Sequence, residues 1–97
     1  MFFGEKILNY KNDILHDIDE LIKIKSISST DKNAAADALN YILGRAEQMG
    51  FKTKNIDNVA GHAEFGEGKE LSAVLVHVDV VPAGDGWSVE PYQLTEK

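Results

Sequence analysis

The chain has no cysteine and few basic residues, and both absences limit what it can be. Without cysteine there is neither a disulfide framework nor a thiolate metal site, so any bound metal must use nitrogen and oxygen ligands. Ten basic residues against sixteen acidic ones give a net charge of −6. No cluster of Lys or Arg forms the stripe that contacts with a phosphate backbone need, so nucleic acid is not an expected partner.

Long apolar runs are also missing. The N-terminus reaches charge at Glu5 and Lys6, and no uninterrupted apolar stretch is long enough for the apolar core of a signal peptide or for a membrane span of roughly 20 residues. The 97 residues, 43% of them hydrophobic, fit one small globular domain. We therefore expect a cytoplasmic protein without membrane contacts, and the composition leaves its oligomeric state open.

Two helices are predicted before any strand. Apolar residues recur at three- and four-residue steps from Glu5 to about Ile24, which is typical of an amphipathic helix. The polar cluster from Ser26 to Asp31 supplies N-cap candidates for a second helix from about Lys32 to Met49, which Gly50 closes in a left-handed conformation. The predicted buried side of the second helix is Ala35, Ala38, Leu39, Ile42, Ala46 and Met49.

Three strands are predicted after the helices. Phe51 to Ile56 forms a modest strand, and the next runs from Val59 to Phe65. In that strand Val59, Ala63 and Phe65 are expected to face in, and His62 and Glu64 out. Gly66 to Lys69 resembles a hairpin loop leading to the last segment, Leu71 to Val81, which is apolar on both faces and is expected to be the longest and most buried strand. The predicted fold class is α/β, with two N-terminal helices packed on a mixed sheet.

His77 and Asp79 are a polar pair at the end of the apolar segment. Because side chains alternate along a strand, both are expected on one face, about 7 Å apart along the axis. Pro82 ends the strand just after them, at the edge where open α/β sheets bind ligands. A carboxylate beside a histidine fixes the tautomer that a metal ligand needs. From the residues alone, an ordinary hydrogen-bonded pair is the more frequent case, although the cost of burying two ionisable groups favours a function.

Other polar residues are weaker candidates. His16 and Glu20 have the i, i+4 spacing that can bind metal, but nearby aspartates indicate a solvated acidic surface. His62 is expected to be an exposed strand residue. The serines between the helices have two possible roles, lining the crevice or, as the better explanation, capping the second helix. Trp87 is expected to anchor its loop on the core rather than contact a substrate.

The segment from His77 to Trp87 resembles the first signature of the dinuclear-zinc aminoacylase and dipeptidase family of metallopeptidases. In that family two helices and then strands lead to a His-x-Asp-x-Val-Pro motif, and the predicted order of elements is similar over all 97 residues. The extension Gly84-Asp85-Gly86-Trp87 resembles the PepV-type dipeptidase branch more than the carboxypeptidase or desuccinylase branches. The resemblance implies that His77 binds one of two divalent metal ions, expected to be zinc, and that Asp79 orients this histidine for catalysis.

The resemblance also implies that most of the site lies outside these residues. The family's metal-bridging aspartate, glutamate general base, remaining ligands and lid domain follow the position equivalent to Lys97. Residues 1–97 are thus expected to be the N-terminal part of a catalytic domain, inactive alone, because one ligand cannot hold a zinc ion that takes three or four. The expected activity of the longer protein is hydrolysis of short peptides. The alternatives are an N-acyl amino acid deacylase or desuccinylase of the same family, and a noncatalytic α/β binding module.

Overall fold

The computed structural model describes residues 3–96. Its elements in chain order are the helices α1 (Phe3–Leu8), α2 (Lys11–Lys23) and α3 (Lys32–Gln48), followed by the strands β1 (Lys52–Ile56) and β2 (Ala60–Glu64). The two strands form one antiparallel sheet, against which α3 packs. This arrangement confirms the α/β class. The sheet within residues 3–96 has two antiparallel strands, where a mixed sheet was expected.

The predicted first helix is broken into α1 and α2 by a turn at Asn9 and Tyr10. The turn is closed by backbone hydrogen bonds from Asn9 to Lys6 and from Tyr10 to Ile7. Ile7 and Leu8 of α1 are exposed, at 54% and 68%, so packing of these two side chains does not support a continuous helix. The apolar periodicity correctly predicted which residues are helical. It did not predict that they form two helices instead of one, because the continuity of a helix depends on packing.

Helix α3 begins and ends as predicted. The side chain of Asp31 accepts a hydrogen bond of 2.9 Å from the backbone nitrogen of Ala34, which caps the N-terminus. Gly50 follows the C-cap residue Met49 with φ of +95°, the left-handed conformation that glycine adopts without steric cost. The sequence therefore predicted where this helix begins and ends, because local backbone chemistry determines both ends.

The small core lies on one side of α3. Its buried apolar residues are Ala34, Ala38, Leu39 and Leu43. The predicted side was rotated toward Ile42 and Met49, which are exposed in the structure, and that part of the prediction is wrong. The pattern of α3 alone did not identify the side on which the β-hairpin packs.

The two hairpin strands match their predicted positions to within one residue at each end. Thr53 pairs with Ala63 and Ile56 with Ala60, and the turn between them has positive φ at Asp57 and Asn58. Gly61 faces α3, since a Cβ there would lie 2.9 Å from Cδ1 of Leu43 and 2.8 Å from the carbonyl oxygen of Lys54. This close approach is what fixes the hairpin against the helix.

The side chains predicted to face inward on the second strand lie at the surface. Val59 is exposed, and Phe65 is exposed although its ring lies 5.3 Å from that of Phe51. His62 and Glu64 are exposed as predicted. Gly61 shares the predicted inward face with these residues and does lie against α3, but it has no side chain to bury. The alternating pattern therefore predicted more buried apolar surface on this strand than the structure has.

The apolar segment from Leu71 to Val81 is not a buried strand in this structure. It has no helix or strand and forms only one isolated parallel bridge, between Val80 and Ile27, and Leu75 is 99% exposed. The loop from Gly66 to Lys69 therefore closes no hairpin. A strand needs neighbours on its edges and layers on its faces, and the described residues provide neither beside residues 71–77. The prediction of a central strand is wrong for residues 3–96.

None of the helices within residues 3–96 combines the length and the hydrophobicity that a membrane span requires.

Candidate functional site

The predicted pair is in contact. Nδ1 of His77 lies 3.2 Å from Oδ1 of Asp79 and 3.1 Å from the backbone carbonyl oxygen of the same residue. The two side chains meet at the end of the apolar segment, just before Pro82, and the imidazole of His77 is 84% exposed. The pair is thus formed without the sheet that was expected to carry it, and it lies at the surface rather than buried.

The surroundings of Nδ1 define the tautomer of the neutral imidazole. Both oxygens close to Nδ1 are acceptors, so Nδ1 carries the proton and donates. Nε2 is then left with its lone pair, and in the described part of the chain no group hydrogen-bonds to it. A metal-binding histidine has this arrangement, with one nitrogen held by a carboxylate or carbonyl and the other free to coordinate.

Asp79 has a second partner that the sequence did not identify. Oγ of Ser28 donates a hydrogen bond of 2.5 Å to Oδ2 of Asp79. This hydrogen bond, and after it the one from His77, lower the pKa of the Asp79 carboxyl, while partial desolvation opposes them. The carboxyl is therefore ionised at neutral pH and accepts from both neighbours.

The loop between α2 and α3 meets the backbone around the pair. The backbone nitrogen of Val80 donates to the carbonyl oxygen of Ser26 at 2.9 Å, and the buried hydroxyl of Ser26 donates to the carbonyl oxygen of Val78 at 3.1 Å. The serines thus contact the segment that carries the pair, and the favoured explanation, capping of α3, is wrong for Ser26 and Ser28. Asp31 alone of this cluster caps the helix through its side chain.

A groove of about 430 Å³ lies beside the pair. Its lining is mostly apolar and includes Val80, Pro82, Trp87 and Tyr92. The loop after Pro82 is held at Ala83, whose carbonyl oxygen accepts from the indole of Trp87 at 2.8 Å and whose nitrogen donates to the hydroxyl of Tyr92 at 3.1 Å. Trp87 closes its own loop, as expected, but it is half-exposed on the groove instead of anchored in the core.

The weaker histidine candidates lie elsewhere. His16 and Glu20 line a separate surface cavity in which Arg45 makes an ion pair with Asp17, with Nε 2.8 Å from Oδ1. His62 lies on the hairpin, 3.9 Å from Glu64. Neither histidine approaches His77, and within residues 3–96 no three side chains of His, Asp or Glu come together as a set able to hold a metal ion.

The donor chemistry at His77 fits one metal ligand and not a complete metal site. The free Nε2 and the carboxylate on Nδ1 suit an imidazole ligand for zinc. Asp79 uses both carboxylate oxygens on Ser28 and His77, so in this arrangement it supports the ligand and does not add a second one.

The chain is similar over nearly its whole length to proteins named as dipeptidases. It is 41% identical over 98 aligned residues to a protein of Staphylococcus epidermidis named "Putative dipeptidase", covering 92% of this chain and 21% of the relative. A protein of Bacillus subtilis with a similar name is 38% identical over 97 residues, covering 90% of this chain and 20% of the relative. The chain thus spans about a fifth of the length of these relatives. No protein-family model matches it.

Proposed function

We propose that residues 1–97 are the N-terminal part of the catalytic domain of a metal-dependent dipeptidase of the dinuclear-zinc, PepV-type branch. The observation that carries the proposal is the contact between His77 and Asp79, which leaves Nε2 of the imidazole free to coordinate. The similarity to proteins named as dipeptidases supports the substrate class, a short peptide.

In this proposal each residue has one task. His77 is a ligand of a divalent metal ion, with zinc favoured because imidazole suits it and the chain offers no thiolate. Asp79 holds the imidazole in the coordinating tautomer and raises its basicity. When bound, a pair of such ions supplies Lewis-acid polarisation of the scissile carbonyl and activates water.

The remaining ligands and the general base are proposed to come from the additional four-fifths of a protein of the relatives' length. A zinc ion takes three or four protein ligands, and the described residues bring together only His77 with its supporting carboxylate. We therefore expect the 97-residue chain alone to bind zinc weakly and to be inactive. Stoichiometric binding of two ions per chain in titration calorimetry would contradict this and would point to His16 or His62.

The proposal is tested by four substitutions in the longer protein, with peptide hydrolysis and bound metal measured for each. His77→Ala removes a ligand and is expected to abolish turnover. Asp79→Asn keeps the shape but presents an amide, so metal affinity or activity falls by about 10- to 100-fold. His16→Ala and His62→Ala are matched controls that should be nearly silent. Normal metal content and turnover in His77→Ala would overturn the assignment and leave the pair a structural couple.

The choice of substrate separates this proposal from its nearest alternatives. An N-acyl amino acid deacylase or desuccinylase of the same family would share His77 and Asp79 but would cleave N-acyl or N-succinyl amino acids faster than dipeptides. A noncatalytic binding module would cleave none of them. Comparing kcat/KM for an unmodified dipeptide and for an N-succinyl amino acid decides between the three.

A further inference from the structure

The loop between α2 and α3 holds the backbone on both sides of Asp79. The hydroxyl of Ser26 donates to the carbonyl oxygen of Val78, and the nitrogen of Val80 donates to the carbonyl oxygen of Ser26. Ser26 is 1% exposed, so these bonds are shielded from water. They set the position of the Asp79 Cα, but they leave its carboxyl free to turn about the side-chain torsions.

Ser28 supplies the missing constraint on the carboxyl. Its hydroxyl donates a hydrogen bond of 2.5 Å to Oδ2 of Asp79, while Oδ1 lies 3.2 Å from Nδ1 of His77. Hydrogen bonds to an ionised acceptor are shorter and about twice as strong as neutral ones. Because each oxygen has its own donor, rotation of the carboxyl away from the imidazole would break the bond to Ser28.

Ser28 has no alternative role in capping α3 or in the hydrogen bonds of its own loop within the described residues. The cap of α3 is provided by Asp31, and the hydroxyl of Thr30 donates to the carbonyl oxygen of Ile27. Within the described residues, the hydroxyl of Ser28 has Asp79 as its hydrogen-bond partner. Ser28 is itself exposed, so its side chain contributes little to packing.

We propose that Ser28 is a positioning residue that acts through Asp79 on His77: its hydroxyl fixes the carboxyl so that Oδ1 accepts from Nδ1 and Nε2 stays unprotonated. The use of the free Nε2 for metal binding rests on the proposed function. The three-residue chain Ser28, Asp79 and His77 does not, because it consists of hydrogen bonds among these side chains themselves. The link can therefore be tested separately from the function.

The first measurement is the tautomer of His77 in the 97-residue chain without added metal, by long-range ¹H–¹⁵N NMR at about pH 8.5. The unsubstituted chain should carry the proton on Nδ1. Ser28→Ala should move it toward Nε2, which a free imidazole prefers, and Ser28→Thr should restore it because the hydroxyl is retained. Ser29→Ala is the matched control, and the backbone amide spectrum checks that each variant is folded. An unchanged Nδ1 proton in folded Ser28→Ala would overturn the proposal.

The second measurement is a titration with Zn²⁺ alone, followed by the ring signals of His77. Ser28→Ala should weaken binding by about tenfold, the lower end of the loss typical for a residue that supports a ligand, and Ser28→Thr should recover it. If Zn²⁺ leaves the His77 signals of the unsubstituted chain unchanged, the result counts against the proposed function. The tautomer measurement then still decides the role of Ser28.

Discussion

Residues 32–64 and residues 71–77 show opposite relations between composition and burial. Helix α3 is polar on much of its surface, yet it buries Leu39 and Leu43 against the hairpin. The segment from Leu71 to His77 is more apolar, yet every residue in it is exposed. The difference lies in the partners: α3 faces a hairpin whose Gly61 permits close approach, whereas residues 71–77 have no described strand or helix against them. Burial of an apolar segment is favourable, but it occurs only where neighbouring helices or strands pack against the segment.

The exposed segment contributes to an unusually large surface. The chain has an accessible area of 8293 Å², whereas a compact monomer of this mass exposes about 5,500 Å². Residues 71–77, where the sequence predicted a central strand, are all exposed and contribute to this excess. Val78 to Val80 are half-buried by the loop after α2, so burial begins where that loop contacts the segment, at the candidate site.

The largest expected contrast between the two regions is in backbone protection. Amide hydrogens of α3 should exchange at the rate set by global unfolding, while those of residues 71–77 should exchange at least about a hundredfold faster because they lack partners. Hydrogen exchange followed by NMR at low protein concentration measures both.

Slow exchange in residues 71–77 at low concentration would mean that the segment pairs within one chain, as the sequence alone suggested. Protection that appears only at tenfold higher concentration would mean that a second copy of the chain covers the segment, as expected for an exposed apolar strand edge.

A smaller contrast is expected from truncating one leucine in each region. Leu39→Ala removes a buried side chain from α3 and should lower the free energy of unfolding by about 2–5 kcal/mol. Leu75→Ala is the matched control and should change it by less than about 0.5 kcal/mol, because Leu75 is fully exposed. Urea denaturation of both variants gives the comparison. Equal losses would mean that Leu75 is buried in solution.

The sequence predicted local features well and distant packing poorly. An N-cap within the cluster from Ser26 to Asp31 and the left-handed Gly50 were predicted, because side-chain and backbone chemistry within a few residues determines them. The sequence did not show that Asp31, rather than a serine, provides the cap. The burial of the segment from Leu71 to Val81 was wrongly predicted, since it depends on elements far away in the chain. The periodicity before Ile24 likewise did not reveal the break at Asn9 and Tyr10.

At the candidate site, too, the sequence predicted the local contact but not the long-range one. The spacing of His77 and Asp79 placed the two side chains on one side, and they are in contact. Ser28 lies 51 residues from Asp79 in sequence, and the only signal for it was the polar cluster between the helices, which also fitted helix capping. Knowing that the loop pairs with Val80 required the structure.

The smallest expected effect concerns the polar contact that joins α2 to the packed region. Arg45 donates to Asp17 from Nε and Nη2, at 2.8 and 3.0 Å, and Tyr41 adds a third bond at 2.8 Å. The hydrogen bond from Arg45 is the main cause that lowers the pKa of the Asp17 carboxyl below its ordinary value. Asp17→Asn should therefore cost about 1 kcal/mol of unfolding free energy at neutral pH.

The pH dependence identifies the origin of that cost. Because the pKa of Asp17 is lower in the folded chain than in the unfolded one, its stabilisation is complete above the unfolded value of about 4 and is lost as the pH falls through the folded value. The difference between the original chain and Asp17→Asn should accordingly be constant from pH 7 to 5 and shrink below pH 4. Glu96→Gln, which breaks the exposed ion pair with Lys11, is the matched control and should have little effect at any pH. If the cost of Asp17→Asn persisted unchanged below pH 3, the contact would stabilise the packed region through shape and neutral hydrogen bonds, and not through the charge on Asp17.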